Sequence, residues 1–357
     1  MKKKNLILTA IFLVVLFLMV FVADKNMDSY KVRILNLCAI YVILAVSMNL
    51  INGFTGLFSL GHAGFMAIGA YTTALLTMSS ETKAQVFFMQ PIIEPLANLQ
   101  VPFPVALLIG GILSALVALL IGAPILRLRG DYLAIATLGF GEIIRVIFTN
   151  TQNITNGSMG IKSIPANTNL WWSFGIAVIT VILIASLINS SHGRALKAIR
   201  EDEIAAENMG INLFKHKMIS FAIGAFFAAI GGGLMASLIC TIDPLMFRFT
   251  MTYNILLIIV LGGMSSISGS VISAFVITIA MEALRFLDES INLGFVRLKG
   301  ISGMRMVVFS ILLMVAVLFF RNGLMGNKEF TWDGIRAFIR RIAKGKGDEK
   351  SGAFKSQ

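Results

Sequence analysis

The chain has 357 residues, 57% of them hydrophobic and only 13% charged, with a formal net charge of +12. A mean hydropathy of +0.85 lies outside the range of soluble globular domains, and stretches long enough to span about 30 Å of hydrocarbon recur along nearly the whole length. These values exclude catalysis in a large water-soluble domain. Membrane topology and anionic lipid account for the positive charge without a nucleic-acid partner.

Lys2, Lys3 and Lys4 precede an apolar stretch that resembles the start of a secretory signal. Its length of about seventeen residues and the poor cleavage site Phe21-Val22-Ala23 favour an uncleaved first span. Hydropathy places ten spans, at about 6–23, 34–51, 57–78, 103–121, 132–149, 171–189, 218–240, 251–264, 271–286 and 304–320. Nine to eleven is the range, because glycines and serines interrupt the stretch from 251 to 286. Ten crossings put both termini on the inner side with Arg127, Arg129, the basic residues of 190–217 and those after Phe320, as the positive-inside rule requires. Arg145 and Arg285 fall inside predicted spans. Cys38 and Cys240 do too, so neither a disulfide framework nor a metal cage is indicated.

Between the second and third spans runs Asn52-Gly-Phe-Thr-Gly-Leu-Phe-Ser-Leu-Gly-His-Ala-Gly-Phe-Met-Ala-Ile-Gly-Ala-Tyr71. Two readings stand. Its glycines suit close helix packing, and they equally suit a broken or re-entrant segment whose freed backbone groups line a polar cavity. Asn49, Asn52, Thr55, Ser59, His62 and Tyr71 strengthen the second. A lone intramembrane histidine such as His62 is more often a satisfied hydrogen-bonding group than a proton relay, and we place it as cavity lining.

Gly130 and Asp131 mark a turn and a helix start. Glu142 and Arg145 then stand three residues apart on one helical face, a spacing repeated at Glu282 and Arg285, and either structural pairing or substrate contact fits them. Asn153-Ile-Thr-Asn-Gly-Ser-Met-Gly160 reads as a polar outer turn or as a dock for a carrier protein. Leu261-Gly-Gly-Met-Ser-Ser-Ile-Ser-Gly-Ser270 is a second small-residue break and hints at two related halves.

The densest charge cluster is Ser191-His-Gly-Arg-Ala-Leu-Lys-Ala-Ile-Arg-Glu-Asp-Glu-Ile-Ala-Ala-Glu-Asn-Met-Gly210. Its composition predicts a short helix outside the membrane that stops at Gly210, where the chain turns left-handed. Ala195, Ile199, Ala206 and Met209 fall near one face and offer a partner a narrow apolar strip. No hydrolase, metalloprotease or nucleotide-cradle motif occurs, so the chain carries no catalytic residues and hydrolyses no ATP itself.

Three of these blocks together resemble the permease subunits of bacterial branched-chain amino acid importers, the LivM and LivH family of ABC transporters, with the LivM type nearest. They are Asn52 to Tyr71, Gly130 to Glu142 with Asn156-Gly-Ser-Met-Gly160, and Ser191-x-Gly-Arg194 through Gly210, supported by Leu261-Gly-Gly263 and Arg321-Asn-Gly-Leu-Met-Gly326. The resemblance implies an all-α integral membrane protein, a polytopic bundle of about ten helices. Its permease domain would cover 1–326, with a broken or re-entrant segment and a cytoplasmic coupling helix near 191–210, and a basic cytoplasmic tail would follow at 327–357. It implies a second homologous permease, two cytoplasmic ATP-binding subunits that hold ATP and Mg, and an extracytoplasmic solute-binding protein. No cofactor or metal is expected on this chain, which would reside in the bacterial cytoplasmic membrane.

The family's coupling element commonly carries Glu-Ala-Ala followed after three residues by glycine. Here Ala205, Ala206 and Gly210 match, Ile204 stands in the acidic position, Glu203 lies one place earlier, and a downstream Ile-x-Leu-Pro is absent. Arg194, Glu203, Ala205, Ala206 and Gly210 are therefore the expected coupling residues, and bulk at Ala206 or replacement of Gly210 is expected to uncouple ATP hydrolysis from uptake. For an aliphatic amino acid, Ser59, His62, Thr137 and Glu142 are placed on the path, where polar groups meet apolar lining. Urea, short amides or other amino acids are alternative solutes. An ion-coupled secondary transporter is the alternative class, and an intramembrane enzyme is disfavoured because no nucleophile, base and ligand set is assembled.

Overall fold

The computed structural model describes residues 3–128, 130–288, 291–292, 297–298, 303–319, 323–326 and 329. The predicted tail at 327–357 thus lies outside the described residues except for Glu329. Helix α1 (Lys3–Asn26) belongs to a unit separate from that of residues 28–327. The bundle begins with α2 (Ser29–Asn49), which runs into a π-helical turn at Leu50–Phe54, and continues with α3 (His62–Thr77). Short helices α4 (Ser80–Val86) and α5 (Glu94–Ala97) lead to α6 (Phe103–Ile125), α7 (Asp131–Asn150) and α8 (Gln152–Thr155). Strand β1 (Ile161–Lys162), α9 (Leu170–Asn189), α10 (Ser191–Glu201), α11 (Glu203–Asn208) and α12 (Leu213–Ile239) follow. Strand β2 (Thr241–Ile242) pairs antiparallel with β1, Ile161 opposite Ile242. The chain then forms α13 (Phe249–Gly262), α14 (Ile267–Ala283), the paired strands β3 (Ile291–Asn292) and β4 (Arg297–Leu298), and α15 (Met304–Phe319).

Among the described residues six helices are long and apolar enough to cross a membrane: α1, α2 with its π-turn, α6, α7, α9 and α12. Helices α3, α13, α14 and α15 are apolar too, but with 14 to 17 residues they fall short of the roughly 20 that a full crossing takes.

The two faces of α6 show why this sequence makes a membrane bundle. Small residues Ala106, Gly110, Ser114, Ala118 and Gly122 recur every fourth position and are buried, while Leu108, Ile112, Leu116 and Leu120 recur on the opposite side and are exposed. Four-residue spacing stacks each set along one face. The small stripe lets backbones approach, and the leucine-rich stripe suits lipid.

Helix α3 lies at the centre, with every residue but Thr72 buried. It packs on α12, α6 and α7. Close approach to α12 depends on glycine: a Cβ at Gly69 would stand 2.0 Å from the carbonyl oxygen of Ala229, and one at Gly232 would stand 2.1 Å from that of Met66. The predicted span 57–78 therefore needs correction. Residues 55–61 are non-helical, and the helix begins only at His62. Both readings of the glycines hold, at different places: the break before His62, and tight packing after it.

A 3-10 turn, Leu284–Leu287, continues α14, and in it Arg285 is half exposed, bonded to Glu282 at 3.1 Å with its guanidinium 5.8 Å from the Tyr30 ring at the start of α2. The expected pairing at three-residue spacing is thus present.

At the end of the bundle opposite α10, Lys83 of α4 is buried. Its ammonium donates to the carbonyls of Leu96 and Leu99 at 2.8 and 2.7 Å, and burial holds it below the usual lysine range. Lys83→Met keeps the stem and removes both bonds. That leaves the partly exposed Leu96 and Leu99 segment without its anchoring donor at a cost of about 1 kcal/mol, so amide exchange across 94–99 is expected to rise about fivefold. Wild-type protection of that segment in a hydrogen-exchange measurement would show that the lysine holds nothing there.

Candidate transport site and charged helix pair

Helix α7 has 20 residues and so rises about 30 Å, which puts Thr137, Gly141 and Glu142 in its middle third. The start of α3 is fastened at that depth. The Leu60 N–H donates to Thr137 Oγ1 at 3.0 Å, and the Ala63 N–H donates to Thr252 Oγ1, on α13, at 2.9 Å. Thr137 in turn donates to the Ala134 carbonyl, which orients its hydroxyl. Helix starts leave amide donors free, and here Thr252 takes up the one at Ala63 while Thr137 holds Leu60, in the non-helical stretch just before the start. Close approach again needs glycine, since a Cβ on Gly61 would stand 2.7 Å from the Thr137 carbonyl oxygen and one on Gly64 3.1 Å from Gly141 Cα.

The break itself follows from local chemistry. The Asn52 side chain bridges the non-helical stretch by donating to the Ser59 carbonyl at 3.1 Å and accepting from the Ser59 N–H at 3.3 Å. Gly56 turns left-handed at φ 75°, a region costly for other residues. A short helix that starts mid-bundle with its positive end among hydroxyls is the arrangement transporters use to receive anionic groups.

Around this start lies a cavity of about 10 Å³, bounded by Leu60, Gly64, Gly141, Glu142, Phe247 and Thr252, too small for more than one water. Glu142 accepts from Arg145 Nε at 2.7 Å, so the two mid-helix charges neutralise each other. Of the four path residues, Glu142 lines the cavity, and Thr137 holds the Leu60 amide beside it. His62 turns to α2 instead, where its Nε2 is 3.1 Å from Ser47 Oγ, and Ser59 is held by Asn52. An adjoining groove of about 440 Å³ between α3, α6 and α7 is lined by apolar side chains including Ile68, Leu75, Leu113, Ile144 and Phe148.

The charged island forms two helices rather than one. Asp202 has extended backbone, φ −156°, and its carboxylate caps α11 by accepting from the N–H groups of Ile204 and Ala205 at 2.8 and 3.0 Å. An aspartate that can cap the following turn competes with helix continuation. The expected left-handed stop at Gly210 is present, with φ 80°. The expected apolar strip is split: Ile199 and Ala206 are buried in the chain itself and Ala195 is half-buried, whereas Met209 is 83% exposed, and Ile204, outside that strip, is 66% exposed. Glu203 is engaged by the buried Lys217 of α12, whose Nζ donates to it at 2.6 Å, while Arg194 and Ala205 are exposed.

Sequence reasoning missed Thr252, which lies in an apolar stretch with nothing to single it out. It also missed Ile204 as an outward group, since that residue entered only as a departure from an acidic position. Neither the cap at Asp202 nor the inward turn of Ala206 is visible until the pair is folded onto α12.

Residues 30–318 match the family described as the permease component of branched-chain amino acid transport systems. The chain is 33% identical over 313 residues to the high-affinity branched-chain amino acid transport permease LivM of Escherichia coli K12, covering 78% of this chain and 69% of that protein. To LivM of Salmonella typhimurium it is 33% identical over 293 residues, 72% of this chain and 64% of the relative. LivH of Salmonella typhimurium is 23% identical over 263 residues, 68% and 81% of the two chains. No solved structure matches the chain.

Proposed function

The chain belongs to the permease-component family of branched-chain amino acid transport systems, and from that membership we propose that it is the LivM-like membrane subunit of an ATP-driven importer of aliphatic amino acids. The observation that carries the reading is the start of α3, held mid-bundle by hydroxyl caps from α7 and α13. A carboxylate entering there replaces Thr252 as acceptor for the Ala63 amide in the first turn and Thr137 for the Leu60 amide just before it, and the apolar groove suits an aliphatic side chain. The small closed cavity is then one end state of alternating access, in which the site faces one side of the membrane at a time.

A LivH-like second permease, two cytoplasmic ATP-binding subunits and a solute-binding protein complete the assembly in the cytoplasmic membrane, with both termini of this chain inside. Nucleotide chemistry stays on the ATP-binding subunits. On this chain the exposed Ile204 and Met209, flanked by Arg194 and Ala205, form the contact with them. Ile204→Glu with Met209→Glu is expected to cut co-purification of the ATP-binding subunits at least tenfold while thermal unfolding of the permease stays unchanged, since both side chains already face water. Undiminished co-purification would move the contact elsewhere.

The reading itself is tested by the ATPase rate of the reconstituted complex, measured with the binding protein loaded in turn with leucine, isoleucine, valine, other amino acids and urea. Stimulation by the aliphatic three supports it. Stimulation by urea alone replaces the solute and keeps the importer, and uptake driven by an ion gradient without ATP replaces the mechanism.

A further inference from the structure

The two small-residue breaks, far apart in sequence, meet at the α10 end of the bundle. Asn49 stands at the last turn of α2, and its amide is fully used: Nδ2 donates to the Ser266 carbonyl at 3.0 Å and to Ser270 Oγ at 2.7 Å, and Oδ1 accepts from the Ser265 N–H at 3.0 Å. Ser265 is in the turn between α13 and α14 with φ 74°, and its hydroxyl donates to the Gly53 carbonyl at 2.7 Å. That donation leaves the oxygen lone pairs of Ser265 free to accept. The donor that reaches them is Arg200 Nη1, from the last turn of α10.

Arg200 is seated from a second direction as well. Its stem packs on Gly56, where a Cβ would stand 2.9 Å from Arg200 Cγ, and its other terminal nitrogen lies 3.8 Å from the Glu201 carboxylate. Lys197, one turn earlier, lies 5.8 Å from the Phe54 ring and makes no polar contact with the serines. The Arg200 guanidinium therefore joins α10 to the turn that starts α14 and, through the Ser265 hydroxyl, to Gly53 of the π-turn that precedes the α3 break.

We propose that Arg200 is the positioning residue that passes movement of the α10–α11 pair to both helix breaks, through the hydroxyl of Ser265 to Gly53 and Asn49. Without that bond the pair still folds on α12 through the Lys217–Glu203 contact, so it can move while the breaks stay where they are. An arginine that only pinned a surface helix would alter stability and leave the ratio of transport to hydrolysis alone.

The assignment rests on the importer reading. Its test compares wild type, Arg200→Gln, Arg200→Lys, Ser265→Ala and the double variant Arg200→Gln/Ser265→Ala in the full reconstituted complex, by solute taken up per ATP hydrolysed and by co-purification of the ATP-binding subunits. Arg200→Gln and Ser265→Ala are each expected to lower the ratio about tenfold with co-purification retained, the double variant to fall no further than either, and lysine to restore part of the loss. Wild-type coupling with an unchanged ratio in Arg200→Gln overturns this proposal alone, as do losses that multiply in the double variant. ATP-independent uptake by the wild-type complex overturns the importer reading and this proposal with it.

Discussion

Gly69→Val is expected to abolish the folded bundle. The Cβ alone would stand 2.0 Å from the Ala229 carbonyl oxygen and 2.4 Å from its carbonyl carbon and Cα, all backbone atoms that no rotamer change can remove. The backbones of α3 and α12 must part, and that separation also opens the reciprocal contact of Gly232 with Met66. Interiors packed at crystal density have no slack to absorb such a shift, so the cost is about 3 kcal/mol or more. Thermal unfolding in detergent and the yield of monodisperse protein read it directly. Gly139→Ala and Gly175→Ala are the controls, since nothing lies within 4 Å of a Cβ at either position, and both are expected to unfold like wild type or slightly higher. A wild-type transition for Gly69→Val would show that α3 and α12 do not pack at this distance.

The second large effect is on transport. Thr137→Val with Thr252→Val preserves side-chain shape but removes both hydroxyls that accept from Leu60 and Ala63. Each amide is then left buried and unpaired at about 1–3 kcal/mol, and the two losses fall on the same helix start. Uptake is expected to drop at least tenfold, with faster amide exchange over 60–66. Serine at both positions restores the hydroxyls and is expected to recover most of the activity. If the valine pair transports like wild type, the start of α3 is not on the path, whatever its likeness to other discontinuous helices.

Legibility differed sharply between elements, for physical reasons. The break before His62 was legible only as one of two readings: Asn52, Gly56 and Ser59 favour local side-chain to backbone bonds over helix, but hydropathy carried the predicted span across 57–61 and gave no sign of the π-turn. Gly210 was legible for the same local reason. The split at Asp202 escaped notice because Arg, Glu, Ala and Lys on both sides favour helix, and one capping carboxylate outweighs that average. Ala206 and Met209 were placed on one face of a helix assumed to run on to Gly210, but α11 ends at Asn208, and beyond it Met209 is exposed while Ala206 is buried.

What the sequence by itself determined is that this is a multi-helix membrane protein with small-residue stretches at 52–71 and 261–270, a charged segment at 191–210, and the residue pattern of a branched-chain amino acid permease. Hydropathy, glycine content and charge are sums over contiguous residues, so a linear reading captures them. Only the tertiary structure decided that the two breaks touch, that Arg200 reaches Ser265, and that Thr137 and Thr252 hold the start of α3. The Ala63 to Thr252 bond joins residues 189 positions apart, and the Asn49 to Ser265 bond joins residues 216 apart. Each is a short-range force whose partner is chosen by how the helices pack, and no window along the chain contains both ends.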